Sequence, residues 1–314
     1  MDSKMLLTCA LDIGEKMLIS GAEISRVEDS VKRICNAYDV KRIDVFTITS
    51  SMVATLEDKD GNSITETRRI TKHHTDLTKL HKLNDLSRKI VRRVPDIHYI
   101  RNQIDEIEKG TKEYNLPIQC TVSALIAGAF AIFFGGAFLD GIAAALIGIV
   151  LKLIVYATEK TQVNMIFANV VCSFAVCSIA FAFVMLGFGY STDKIIIGNI
   201  MLLIPGVALT NSIRDMISGD IMAGMLRLRS VPCIACNSRR LHHCGPHFRR
   251  YRQMTYFIQI LTGTLGAFGF AILYNLRGTK LLIATLGGAL SWGTYLFFGI
   301  WFHSEPLRYF FAAI

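Results

Sequence analysis

Charge is scarce through the middle of this sequence. Between residues 116 and 224 the only Lys, Arg, Asp and Glu are Lys152, Lys160, Lys194, Arg214, Asp140, Glu159, Asp193, Asp215 and Asp220. A stretch so poor in charge excludes a wholly soluble enzyme and a disordered chain, which both need charge throughout to stay solvated. Acidic residues and lysine are missing altogether from 225–253, where arginine is the only cation. No secretory signal opens the chain: Met1-Asp2-Ser3-Lys4 leads into an amphipathic pattern with Asp12, Glu15 and Lys16. The G-x-S-x-G, H-E-x-x-H and P-loop patterns are also absent, so no familiar catalytic constellation is indicated.

What is present divides the 314 residues in two. The chain is 52% hydrophobic and 19% charged, with a mean hydropathy of +0.40. Yet residues 1–110 carry 19 basic and 18 acidic side chains, an ordinary soluble balance. One soluble and one embedded part are expected. The eight cysteines do not form a disulfide framework, because the chain is too long and too apolar for a stapled secreted domain. The net charge of +9 owes most to the seven arginines of 225–253. Outside that segment 27 basic residues face 25 acidic ones, and no nucleic-acid face is indicated.

The soluble part, residues 1–115, reads as an α+β domain placed in the cytosol. Leu6, Leu7, Ala10, Leu11, Met17 and Leu18 recur at helical spacing over 3–19. Ser20-Gly21-Ala22-Glu23 fits a break and then a capping box, with Ser20 as N-cap and Glu23 reaching back to it. A second helix carries Ile24, Val27, Val31 and Ile34. β-Branched runs at 43–48 and 52–56, a turn at 58–61 and a return over 62–70 predict three antiparallel strands. Two charged amphipathic helices, 76–93 and 96–109, complete the domain. His73, His74, His81 and His98 are scattered along it and read as solvated side chains.

The embedded part reads as a polytopic α-helical membrane protein. Apolar segments near 118–134, 141–157, 163–186 and 195–213 have the length needed to cross ~30 Å of hydrocarbon. A fifth starts at 221 and is disrupted, and two more lie near 254–276 and 281–302. Frequent small residues (Ala127, Gly128, Gly141, Ala144, Gly148) suit closely packed membrane helices. With the first domain in the cytosol, Lys160 and Arg214 both fall inside, as cationic loops should. Arg277 and Lys280 then need one additional span between 221 and 253 to return to that side.

At this point the motifs are recognisable. Ser20-Gly21-Ala22-Glu23-Ile24-Ser25-Arg26-Val27-Glu28-Asp29, the stretch Leu203 to Asp215, and Ser218-Gly219-Asp220 resemble signatures of the threonine/serine exporter family. Tyr256-Phe257-Ile258-Gln259, Arg277-Gly278-Thr279-Lys280 and Leu286 to Trp292 are similar to the start of that family's second membrane module. The resemblance implies a cytosolic domain, five spans and then about five more, sometimes split between two proteins that work together. It implies proton-driven export of threonine or serine, or of dicarboxylates such as succinate in the split systems. The sequence departs from this pattern at 227–253, an anomalous basic Cys/His segment, and at Ile314, inside what should be a further helix. The loss of apolarity and the exclusive use of arginine there suggest an out-of-frame reading, which the other two frames of the coding DNA would test.

Several groups of residues could carry chemistry. Pro205-Gly206 breaks the fourth apolar segment, and broken membrane helices offer backbone groups to substrate. Thr210, Asn211, Arg214 and Asp215 follow within three turns: Arg214 suits a substrate carboxylate, while Asp215 or Asp220 suits a proton or an ammonium. A packing kink with a cytosolic Arg–Asp cap is the plain alternative. Glu23, Arg26, Glu28 and Asp29 form a charged cluster readable as a gate or substrate-capturing site (Glu23, Arg26 and Asp29 above all), or as capping and local pairing. Asn164 and Asn169 could line a polar path or bond between helices, and Asp140 reads as a helix N-cap. Cys233, Cys236, His242, His243, Cys244 and His247 crowd soft ligands together but match no standard zinc pattern, so neither metal nor cofactor is assigned.

The expected function is therefore secondary export of small polar metabolites, threonine or serine first and a small dicarboxylate second. Expected partners are that solute, membrane lipid, and a complete second-module protein or further copies of the chain, with no nucleic acid. The expected place is the cell inner membrane. A membrane-anchored hydrolase and an inactive truncated relic stay open as alternatives.

Overall fold

The computed structural model describes residues 3–71, 73–161, 165–204, 206–228, 256–301 and 312. They fall into two compact units: Met1–Glu113 with Gly206–Arg229, and Tyr114–Pro205 with Ser230–Ile314.

The first unit is built around α1 (Ser3–Ile19), which buries Leu6, Leu7, Ala10, Leu11, Ile13, Met17 and Leu18. It packs against α2 (Ile24–Ala37), α3 (Leu77–Arg93), α4 (Ile97–Gly110) and two strands of a sheet. The sheet runs β1 (Arg42–Ile48), β2 (Ser51–Glu57), β3 (Ser63–Arg69), antiparallel and in sequence order. Registers Ile48↔Ser51 and Glu57↔Ser63 close the two hairpins. Alternation puts Ile43, Val45, Met52, Ala54 and Leu56 on the inner face, as a half-buried sheet requires. Gly14 lets both α2 and this sheet approach α1, since a Cβ there would stand 2.8 Å from Val31 Cγ2 on α2 and 3.1 Å from Met52 Cε on β2.

Edge strand β3 turns charges inward. Glu66 accepts from Thr8 Oγ1 at 2.7 Å, and Arg68 reaches Asp12 and Glu66, each at 3.2 Å. Inward charges of this kind discourage further strands from adding to an edge. Asp76 caps α3 by accepting from Lys79 N at 2.8 Å. Burial pushes the Cys35 thiol up to about 12, and with so little thiolate at neutral pH it is a packing group, not a nucleophile. Helices α9 (Gly206–Ile217) and α10 (Ile221–Leu228) complete this unit. Ser212 Oγ donates to Gly224 O at 2.6 Å and holds that pair together.

The second unit contains α5 (Leu116–Phe133), α6 (Phe138–Lys160), α7 (Met165–Met185), α8 (Thr192–Leu203), α11 (Tyr256–Leu273) and α12 (Thr279–Trp301). Small residues set its packing. A Cβ on Gly148 would lie 2.8 Å from Ser123 O, and one on Gly198 only 2.4 Å from Ala127 O. Phe138, Phe174, Met185 and Leu186 are more than two-thirds exposed, which suits hydrocarbon better than water. Among the described residues five helices are long and apolar enough to cross a membrane, or six if α8 and α9 count as one span.

Asp140 lies three residues inside α6 and does not sit at its N-cap position, which Ala137 occupies. Its carboxylate accepts from Ala137 N at 2.9 Å, Tyr190 N at 2.6 Å and Ser191 N at 3.0 Å, tying the start of α6 to the start of α8. The apolar run 195–213, expected as one span broken at Pro205-Gly206, is two helices. α8 ends at Leu203, and Ile204 is extended (φ −75°, ψ 116°), as the residue before a proline prefers. Pro205 itself, Asn164 and the Cys/His segment lie outside the described residues.

Candidate functional site

Two motifs that are far apart in sequence meet in the first unit. α1 finishes with Ser20 N, Gly21 N and Ala22 N donating to Lys16 O, Leu18 O and Met17 O. Gly21 takes φ +98°, a left-handed value at which a side chain would be strained. This turn is a helix C-terminus and no capping box forms. Glu23 occupies the N-cap position of α2, but its side chain makes no cap bond. The expected pairing of Ser20 with Glu23 fails because Ser20 is still held in the turn that ends α1.

The groups left open by that turn are met from α9. Asn211 Nδ2 donates to Gly21 O at 2.8 Å. Asp215, fully buried, accepts from Ile24 N at 3.2 Å through Oδ1. A carboxylate so placed caps α2 from outside its own helix, and the positive end of the helix dipole stabilises it. Arg214 Nη1 donates to Glu23 Oε1, with the Glu23 side chain 17% exposed and that of Arg214 57% exposed. The arrangement is a backbone lock made by Asn211 and Asp215, with an ion pair on its open side.

The other members of the first motif part company. Glu28 accepts from Thr47 N at 2.7 Å and stands 3.9 Å from Lys32. Burial raises its carboxyl above the usual range, and the charge of Asp220 adds to the rise, against the lowering effects of Thr47 and Lys32. Arg26 and Asp29 line a groove between α2 and α3. Thr210 turns its hydroxyl back to Gly206 O at 3.0 Å and is exposed. Asp220 starts α10, its carbonyl accepting from Gly224 N at 3.0 Å. Asn199 belongs to the second unit and is not among the residues singled out above. It is fully buried on α8, bonded through Nδ2 to Ile195 O at 3.0 Å, and its Oδ1 has no partner among the described residues. A lone Asn in an apolar run was the available signal. Asn169 is half-buried on α7. No group of three or more His, Cys, Asp or Glu suited to a metal occurs among the described residues.

A mostly helical chain with five or six candidate spans, joined to a compact α+β unit, defines a multi-pass membrane protein. The family model for threonine/serine exporters matches residues 8–237, and the chain belongs to that family. Among curated proteins it is similar to a threonine/serine exporter of Corynebacterium glutamicum, 25% identical over 68% of this chain and 45% of that protein. It is also similar to a probable threonine/serine exporter of Mycobacterium tuberculosis (strain ATCC 25618 / H37Rv), 22% identical over 72% of this chain and 43% of that protein. The chain thus spans less than half the length of these relatives. No solved structure matches it.

Proposed function

We propose that this chain exports a small zwitterionic metabolite, threonine or serine, across the cell inner membrane, with its α+β unit in the cytosol. The observation that carries the reading is the Glu23–Arg214 ion pair, held at the open side of an otherwise locked junction. An amino acid presents a carboxylate and an ammonium on one carbon. The carboxylate suits the Arg214 guanidinium and the ammonium suits Glu23, so the solute can replace both halves of the pair at once. A single charge of either sign would leave one partner uncompensated. Membership of the exporter family supports the direction and the solute class.

Glu28 supplies a candidate proton site for coupling to the proton gradient, since burial and Asp220 favour its neutral form. The balanced charge of residues 1–110 and the basic Lys160 and Arg214 support the cytosolic placement. A second-module partner or a further copy of the chain is proposed to complete the path. Among the described residues, the span Thr279–Gly299 has none that is buried, and this exposed apolar surface suits a protein neighbour or lipid.

Efflux from cells loaded with a threonine or serine dipeptide tests this reading, with the chain alone and with a complete second module co-expressed. Faster loss of the free amino acid than in cells without the chain supports it, with succinate efflux as the comparison. Equal loss in both conditions rejects threonine and serine as the cargo.

A further inference from the structure

A groove of about 450 Å³ runs between α2 and α3 in the first unit. Its size falls within the ~300–1,000 Å³ usual for small-molecule sites. Arg26 and Arg33 enter from α2, seven residues apart on one face, and Arg88 and Arg92 face them from α3. Only Asp29 brings negative charge, and it is already bonded to Arg33 Nε at 2.9 Å. Among the described residues, no carboxylate stands within salt-bridge distance of Arg26, Arg88 or Arg92. The buried hydroxyls of Ser30 and Ser87 lie along the floor, turned to Arg26 O and Asn84 O at 2.8 Å each. Asn84 also lines the groove, and Val91 gives it one apolar wall.

We propose that this groove binds a soluble organic phosphate carrying at least two negative charges, of the nucleoside diphosphate class. Like-charged guanidiniums set around one hollow repel one another unless an anion sits among them. Their forked donors match phosphate oxygens two at a time. A net lining charge of three is met by a diphosphate and is under-met by a single carboxylate or a phosphodiester. The volume exceeds that of a bare phosphate, and the apolar wall suits an attached organic group. None of this uses Glu23, Arg214 or the cargo, so the site stands apart from the exporter reading and would serve regulation of it.

Calorimetric titration of the full chain in zwitterionic nanodiscs tests the proposal, at ~0.15 M salt to screen diffuse attraction. The probes are inorganic pyrophosphate, ADP and succinate. Saturable binding of pyrophosphate and ADP at one site is expected, with succinate about tenfold or more weaker. Arg88→Gln with Arg92→Gln, both at exposed positions, should weaken ADP about thirtyfold or more. Lys89→Gln, exposed and outside the groove, should leave it within about twofold. Absence of saturation, or an equal loss in the Lys89 variant, overturns the site. Stronger competition by short-chain phosphatidylglycerol than by ADP would overturn the soluble source and assign the phosphate to a lipid headgroup.

Discussion

Arg214 on α9 donates to Glu23 at the head of α2, although 191 positions separate them in the chain. The pair joins the turn after α1 to α9, which follows the end of α8 at Leu203. Asn211 and Asp215, one turn of helix apart, hold the backbone beneath it at Gly21 and Ile24. Substitutions that touch the lock should therefore change stability, while those at the pair should change transport.

Asp215→Ala removes the acceptor of Ile24 N in a fully buried place, and an unmet buried N–H costs about 1–3 kcal/mol. Asp215→Asn keeps an oxygen there and should cost about half as much or less. Denaturation of the purified chain, followed by circular dichroism, measures both. Equal losses would place the role of Asp215 elsewhere.

Glu28 gives a pH signature. Its folded value is raised from 4.5, burial first among the causes. The folded state then holds the proton more tightly than the unfolded state does. Its contribution to stability is full below 4.5 and is lost as pH rises through the raised value. Glu28→Gln keeps a carbonyl for Thr47 N and cannot titrate. At neutral pH the variant should match or exceed the wild type by no more than about 1 kcal/mol. The advantage should vanish on acidification, as read from denaturation midpoints across that range. A midpoint difference independent of pH would contradict the assignment.

Gly198→Ala would set a Cβ 2.4 Å from Ala127 O, 2.8 Å from Ala131 N and 2.9 Å from Ala131 Cβ. Two of those atoms belong to the α5 backbone and cannot rotate away. Overpacking of this kind costs about 1–3 kcal/mol, which a lowered melting temperature in detergent would show. Gly287→Ala, with nothing among the described residues within 4 Å of its Cβ, is the matched control and should not lower the midpoint.

The helices and strands of the first unit were readable because burial there follows period and alternation. Leu6, Leu7, Leu11 and Leu18 mark α1, and Met52, Ala54 and Leu56 mark the inner face of β2. The two signature motifs were visible as well, but not their meeting. A capping box at Ser20 and Glu23 is the sensible local solution, and the distant Asp215 overrides it by capping α2 from α9. Arg26, Asp29 and Glu28 looked like one cluster because helix neighbours share a stretch of sequence. Their fates separate only when α3 and β1 arrive to face them. Asp140 looked like a cap and proved to serve a second helix start fifty residues on, which no local rule describes.

The most direct test of the transport account is efflux of threonine from dipeptide-loaded cells carrying Arg214→Ala, beside wild type, with equal amounts in the membrane. The ion pair as receptor for the solute predicts a fall of about tenfold or more, with partial recovery in Arg214→Lys. Efflux from the alanine variant at the wild-type rate would contradict it.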